Sequence, residues 1–349
     1  MQGQSAHQMS IIGKEREKWW RPAVFAEKIP HLERRARLVS AIRAFFTGRG
    51  YLEVETSALQ TSPGMEVHVK AFETRLYNVD RQDFAAKRLH TSPEIAMKKL
   101  LVAGLPKIFQ ICQVYRNAEG SSLHSPAFTM LEWYQTGLSY RGLMDETVAM
   151  IRAVAEDVMN WRGLVSDPFA DWQFISVTEA FAYYAGIDLD VVLDDPAAFA
   201  AAAEKAGCPA HEGDGWDDIF FRIFLEKIEP QLGHPAPTIL YDYPAGMAAL
   251  SRKKPEDPRY AERFEVYICG MELANAFGEL TDAAEQRARF VASMAEKKEI
   301  YAEDYPVDED FISALEYGMP DCSGIALGVD RLAMLLSGAE DIRLVRADM

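Results

Sequence analysis

The sequence predicts an α+β fold built around a largely antiparallel sheet. Two observations carry that expectation. Strand-like and helical stretches are mixed along the chain without strict β-α-β alternation, and no internal repeat recurs. The composition, 49% hydrophobic and 26% charged, is that of an ordinary folded protein. A length of 349 residues fits two domains or one large one.

Residues 1–28 read as a loose tail in which Trp19 and Trp20 dock on the rest of the chain. Helical spacing begins at Leu32, Ala36, Val39, Ile42 and Phe46 and stops at Gly48 and Gly50. Tyr51 to Thr56 reads as a strand. Thr91-Ser92-Pro93-Glu94 reads as a helix start, with Pro93 at the first helical position and Glu94 in the first turn. Ile108 to Arg116 and Phe128 to Tyr134 read as strands joined by the polar loop Asn117 to Pro126.

The stretch from about 140 to 235 is mostly helical, including Pro196 to Ala206 and Trp216 to Glu229. Strand signals return at Thr238 to Tyr243, Phe264 to Ile268 and Met271 to Ala276. Asp282 and Glu285 form a capping box for a helix running towards Lys298. Ile325 to Gly328 then leads into a last helix starting near Val329.

Several function classes are excluded or disfavoured at once. The 37 Lys and Arg against 53 Asp and Glu leave a net charge of −16, which disfavours broad contact with nucleic-acid phosphates or anionic lipid. No apolar run approaches the ~20 residues of a membrane helix, and Met1 to Lys18 is too polar for a signal core. Cys112, Cys208, Cys269 and Cys322 are unpaired in spacing and read as buried free thiols of a cytoplasmic protein. G-x-G-x-x-G after a strand, G-x-x-x-x-G-K-[ST], G-x-S-x-G and H-E-x-x-H are all missing.

Three segments, with Arg116 beside the first, carry chemistry. In Phe128 to Tyr134, strand alternation puts Phe128, Met130, Glu132 and Tyr134 on one face and Thr129, Leu131 and Trp133 on the other. The first face could hold a flat base and an ammonium group; equally, Glu132 could simply reach solvent. Arg116, closing the preceding strand, fits either a phosphate clamp or a surface ion pair. In Ser323 to Arg331, Gly324 and Gly328 allow close backbone approach by a ligand. Arg331 stands in the first turn of a helix, where the dipole disfavours a cation unless an anionic ligand is bound, and Asp330 offsets part of that cost. In the run from Phe264 to Glu279, Glu272, Asn275 and Glu279 supply oxygen ligands suited to Mg²⁺ on phosphates, but strict alternation separates Glu272 from Glu279. Their joint action needs a bulge or turn, placed near Gly278.

Together these segments resemble the catalytic domain of class II aminoacyl-tRNA synthetases, in the lysyl branch. The wording is nearest the elongation factor P–(R)-β-lysine ligase family. The matching runs are Leu89 to Glu94, Lys98 to Gly104, His124 to Tyr134, Phe264 to Thr281 and Met319 to Arg331. The resemblance implies one catalytic domain over 29–349, with a helical insertion at about 140–235 and no anticodon-binding barrel before it.

It also implies roles. Arg116 and Arg331 would be catalytic, on the α- and γ-phosphates of ATP, with adenine stacked on Phe128. Asn117, Glu119, His124, Ser125, Glu272, Leu273 and Gly328 would complete the ATP site, with Mg²⁺ at Glu272 and Glu279. Ser92, Pro93, Glu94, Glu132, Tyr134, Asn275, Glu279 and Ala326 would line a pocket for lysine or β-lysine. The implied acceptor is a lysine side chain of elongation factor P, in a homodimeric enzyme with no use for membrane or tRNA. A truncated lysyl-tRNA synthetase and an inactive regulatory paralogue are the alternatives. Three departures from the family pattern stand out: Ala118 where the second motif R-x-E has Glu, with Glu119 one place later; Ser125 in place of Asn; and Ser57 in place of Pro.

Overall fold

A computed structural model describes residues 18–81, 83–158 and 166–349. Most of the expected tail, residues 1–17, lies outside the described residues. Its end is a single turn, Pro22–Phe25, where Trp19 packs 6.2 Å from the Phe25 ring and Trp20 stays exposed.

The first long helix, α1 (Ile29–Gly48), buries Leu38, Ala41, Ile42, Phe45 and Phe46, spaced at three and four residues on one face. The expected strand over Tyr51 to Thr56 shortens to β1 (Leu52–Glu53), because Tyr51 turns inward onto Phe46. Next come β2 (Leu59–Gln60), β3 (Glu73–Tyr77) and β4 (Phe84–Leu89), a small separate sheet. The helix α2 (Glu94–Val102) starts one residue after Pro93.

Strands β5 (Lys107–Tyr115) and β6 (Ala127–Thr136) bracket the polar loop as expected. They are followed by α3 (Tyr140–Val158), β7 (Gln173–Ser176), β8 (Thr238–Pro244), β9 (Tyr260–Ile268) and β10 (Met271–Gly278). Then come α4 (Ala283–Tyr301), α5 (Glu309–Gly318), β11 (Cys322–Gly328) and α6 (Val329–Ser337). Asp282 caps α4 by accepting from the Glu285 amide at 2.7 Å.

The large sheet runs β1-β5-β6-β11-β10-β9-β8-β7. Its rim pairs, β1–β5 and β7–β8, are parallel and the pairs between them antiparallel. This is the α+β architecture that the mixed pattern predicts.

One face of the sheet is the floor of the main core. Phe109, Leu131, Trp133, Ile325, Leu327, Ala274, Ala276 and Val266 pack there against α1, α3 and α6. Fully buried side chains such as Trp133 each contribute roughly 1.5–3 kcal/mol relative to exposure. Helix α3 belongs to this core, so the helical excursion is shorter than its expected 140–235 span. Its helices lie within 177–231 and build a second core around Phe181, Phe199, Phe220 and Ile223, seated on Leu240 and Tyr267. A third core, with Ile95, Met97, Phe290 and Phe311, covers Ile108 and Tyr134 at the other side. Leu240, Tyr267, Ile108 and Tyr134 all lie on the face opposite the main core. Between the two satellite cores the middle of that face stays open, which is where the site forms. Among the described residues no helix is long and apolar enough to cross a membrane.

Candidate active site

Register builds the site floor. One row across the sheet reads Gln110, Glu132, Ala326, Asn275 and Glu265. The next row reads Ile108, Tyr134, Gly324, Phe277 and Arg263. The alternation expected for Phe128 to Tyr134 therefore holds. Glu132 does not reach solvent, however; it is 0% exposed.

Glu272 and Glu279 do share this face, through a bulge, but the bulge is at Leu273 and not near Gly278. Glu272 pairs with Tyr267 and Ala274 with Val266, so Leu273 is the extra residue. The bulge settles the face but not a joint metal role. At ~3.3 Å per residue, Glu272 and Glu279 stand about 20 Å apart along the strand, too far to share one ion. Glu279 is also ion-paired to Lys98, with its Oε2 2.5 Å from Nζ.

At the Glu272 end lies a cleft lined by Arg116, Glu119, His124, Ser125, Phe128, Glu272, Leu273, Gly328 and Arg331, all expected in an ATP site. Asn275 and Ala326 extend this cleft towards Glu132. The Arg116 guanidinium sits 5.3 Å over the Phe128 ring, and its buried Nε has no hydrogen-bond partner. Such an orphaned donor beside an aromatic platform fits an anionic nucleotide.

Arg331 donates from Nη1 to the Glu272 carbonyl at 2.6 Å and from Nη2 to His124 Nε2. Burial, then the charges of Arg331 and Arg116, lower the His124 pKa, so its neutral ring can accept that bond. Asp330 does not offset Arg331. It is buried, pairs with Arg35 at 3.0 Å and Arg346 at 3.4 Å, and accepts from the Thr129 amide at 2.9 Å. The carboxylate facing Arg331 is instead that of Glu272, with Oε2 4.0 Å from Nη1.

Asn117 turns away from the cleft. Its amide donates to the Lys70 carbonyl at 2.7 Å, and its Oδ1 accepts from the Ala118 amide at 2.8 Å. Ala118 holds a left-handed φ of +61°, and Glu119 beyond it lines the cleft. Ser125 is buried and donates to the Ala127 carbonyl at 2.8 Å, fastening the loop.

At the other end is an acidic pocket. Ser92 donates to Oε1 of Glu132 at 2.5 Å and Tyr134 to Oε2 at 2.9 Å. Burial, then the neighbouring Glu94, raises the Glu132 carboxyl to about 8. Burial likewise raises Glu279 to about 7 against the pull of Lys98, and its Oε1 has no hydrogen-bond partner. Pro93 leads into α2 and aims Glu94 at Lys98, whose Nζ is 2.5 Å from Oε1. The room at Gly324 is filled by the protein itself. A Cβ there would collide with the Tyr134 ring and stand 2.6 Å from Glu279 Oε1. Gly328, by contrast, lines the open cleft beside Arg331.

Two functional groups escape sequence reading. Lys98, 0% exposed, holds Glu94 and Glu279 together; its signals are the i+4 spacing from Glu94 and its place at the head of a run that matches the family. Glu265 accepts from the Tyr243 hydroxyl at 2.5 Å, the Tyr267 hydroxyl at 2.6 Å and Arg263 at 2.5 Å. Among the described residues no three His, Cys, Asp or Glu converge as a metal cluster. Mg²⁺ commonly needs only one or two carboxylates beside substrate phosphates, and Glu272, open to the cleft, suits that role. The Glu272 side chain is 40% exposed in the cleft, whose walls and the Glu265 charge push its pKa up.

Comparison with known proteins places the chain in a family. The family model for tRNA synthetases class II (D, K and N) matches residues 24–347. An elongation factor P–(R)-β-lysine ligase of Pectobacterium carotovorum subsp. carotovorum (strain PC1) is 38% identical over 325 residues, 93% of this chain and 95% of the relative. The chain thus belongs to the class II (D, K and N) tRNA synthetase family, on the branch of the elongation factor P–(R)-β-lysine ligases.

Proposed function

We propose that the protein activates (R)-β-lysine, or lysine, with ATP and transfers it to a lysine side chain of elongation factor P. The observation that carries this reading is one continuous sheet face on which a guanidinium-lined cleft abuts a buried acidic pocket. The cleft suits a triphosphate and the pocket a diamino acid.

The amino-acid carboxylate attacks the α-phosphorus, the bond to the β-phosphate oxygen breaks, and pyrophosphate leaves. Arg116 and Arg331 balance the charge that develops, and no covalent enzyme intermediate is needed. Phe128 carries the adenine, Gly328 leaves room for the nucleotide, and neutral His124 steadies Arg331. Glu272 would hold Mg²⁺, which neutralises phosphate charge when bound. Glu94, Glu132 and Glu279 hold the ammonium groups, and Ser92, Tyr134, Asn275 and Ala326 shape the space around them. An acceptor lysine amine then attacks the activated carbonyl, loses its proton, and AMP leaves.

A protein acceptor fits the net charge of −16 better than tRNA does. Glu119 in the cleft supports an active enzyme despite Ala118. A second copy would cover the sheet edge at β1, where Leu52 is half exposed. We place the enzyme in the cytoplasm as a homodimer whose catalytic domain spans 29–349. The test is ATP–pyrophosphate exchange with each lysine isomer. Exchange dependent on either isomer is expected; exchange with neither overturns the reading.

A further inference from the structure

Beside Ser92 and Glu94 a small cavity is closed by the loop Pro63 to Glu66, with Leu250 and Phe290 behind. The Glu66 carboxylate lies in its wall. Its Oε2 is buried and has no hydrogen-bond partner. Leaving a buried carboxylate oxygen unpaired costs stability, so a structural role explains it poorly.

The placement is nevertheless held firmly. Lys297, buried on α4, donates to the carbonyls of Val67 at 2.8 Å, Val69 at 2.7 Å and Glu66 at 3.3 Å. Gly64 makes the room, since a Cβ there would stand 2.6 Å from Glu66 Oε2. The segment that carries Glu66 runs on to Lys70, whose carbonyl accepts from the Asn117 amide at 2.7 Å, next to Arg116. Glu132 and Glu279 are held instead beside Tyr134 and Lys98. Glu66 therefore belongs to the Arg116 end of the pocket, and Glu132 and Glu279 to the far end.

We propose that Glu66 is a specificity-determining residue that, with Glu94, takes the ammonium group nearest the reacting carboxylate of a diamino acid. This rests on the reading that such an acid is adenylated in this pocket. A monoamino acid of the same length, lacking that ammonium, leaves Glu66 unpaired and is rejected.

The test is ATP–pyrophosphate exchange by wild type, Glu66→Gln and Glu66→Asp with (R)-β-lysine, lysine and 6-aminohexanoate, with thermal melts alongside. For Glu66→Gln, the KM for the preferred diamino acid should rise about 10- to 100-fold, with the KM for ATP unchanged. Its preference over 6-aminohexanoate should fall by the same factor, and Glu66→Asp should lie between. Melting at or above the wild-type temperature is expected for Glu66→Gln, because a buried charge is removed. An unchanged preference ratio, with or without lower overall activity, overturns the proposal while leaving adenylation standing. Wild type that activates no diamino acid overturns both.

Discussion

The Lys98 ammonium lies 2.5 Å from Glu279 Oε2 and an equal distance from Glu94 Oε1, with no exposure of the lysine to solvent. A cation so enclosed joins α2 to the end of β10 and serves as counter-ion to the cluster of Glu94, Glu132 and Glu279. The remaining negative charge suits a ligand with two ammonium groups. Lys98→Met should destabilise the fold by about 3–5 kcal/mol, because it leaves buried carboxylates uncompensated. Urea unfolding checks this. The loss should shrink at pH 5, where Glu279 and Glu132, raised to about 7 and about 8, are protonated. An equal loss at pH 5 and pH 8 contradicts the charge explanation.

Ligand binding should release protons. With folded values above the usual carboxylate range, Glu132 and Glu279 hold protons that the unfolded chain has already lost. Their contribution to stability therefore falls as pH rises through that range towards 8. A bound ammonium favours the ionised carboxylates and reverses this. Calorimetry of lysine or β-lysine binding at pH 7 in buffers of different ionisation heat should report net proton release. KM for the amino acid should rise as pH falls from 8 to 6. Binding heats independent of buffer would count against this pocket.

Arg116→Ala and Arg331→Ala should each remove roughly 2–4 kcal/mol of transition-state stabilisation from adenylate formation. In pyrophosphate exchange this is a loss of kcat larger than any change in KM for the amino acid, since both guanidiniums line the ATP cleft. Undiminished exchange in both variants would remove the ATP cleft from the account.

Gly324→Ala tests the pocket's close packing. The new methyl would push the Tyr134 ring and Glu279 apart, costing about 1–3 kcal/mol as overpacking. KM for the amino acid should rise at least tenfold, with KM for ATP near the wild-type value. Equal changes in both constants would point to general disruption instead.

How far the sequence revealed this site depends on the kind of interaction. Phe128, Met130, Glu132 and Tyr134 are legible because strand alternation is a local rule. Arg331 is legible because helix position and charge sign conflict there. The bulge at Leu273 is not: inserting one residue changes faces without leaving a residue-type signal. Lys98 heads a run that resembles the family, but its role as a buried cation shows only where residues 94 and 279 close over it. The hairpin of β3 and β4 escaped because all of β3 and half of β4 are exposed, so burial imposes no period there. The pairing of Asp330 is not legible for a related reason: its partners Arg35 and Arg346 are remote or lie beyond its own helix.

On the proposed function, one site makes an adenylate from a diamino acid and hands it to a protein. The direct measurement is a single-turnover reaction of the enzyme with ATP and labelled (R)-β-lysine or lysine, chased with either elongation factor P or tRNA. Label should appear on elongation factor P, with a mass increase of one lysyl residue, and not on tRNA. Label that passes to tRNA and leaves elongation factor P unmodified would contradict the account.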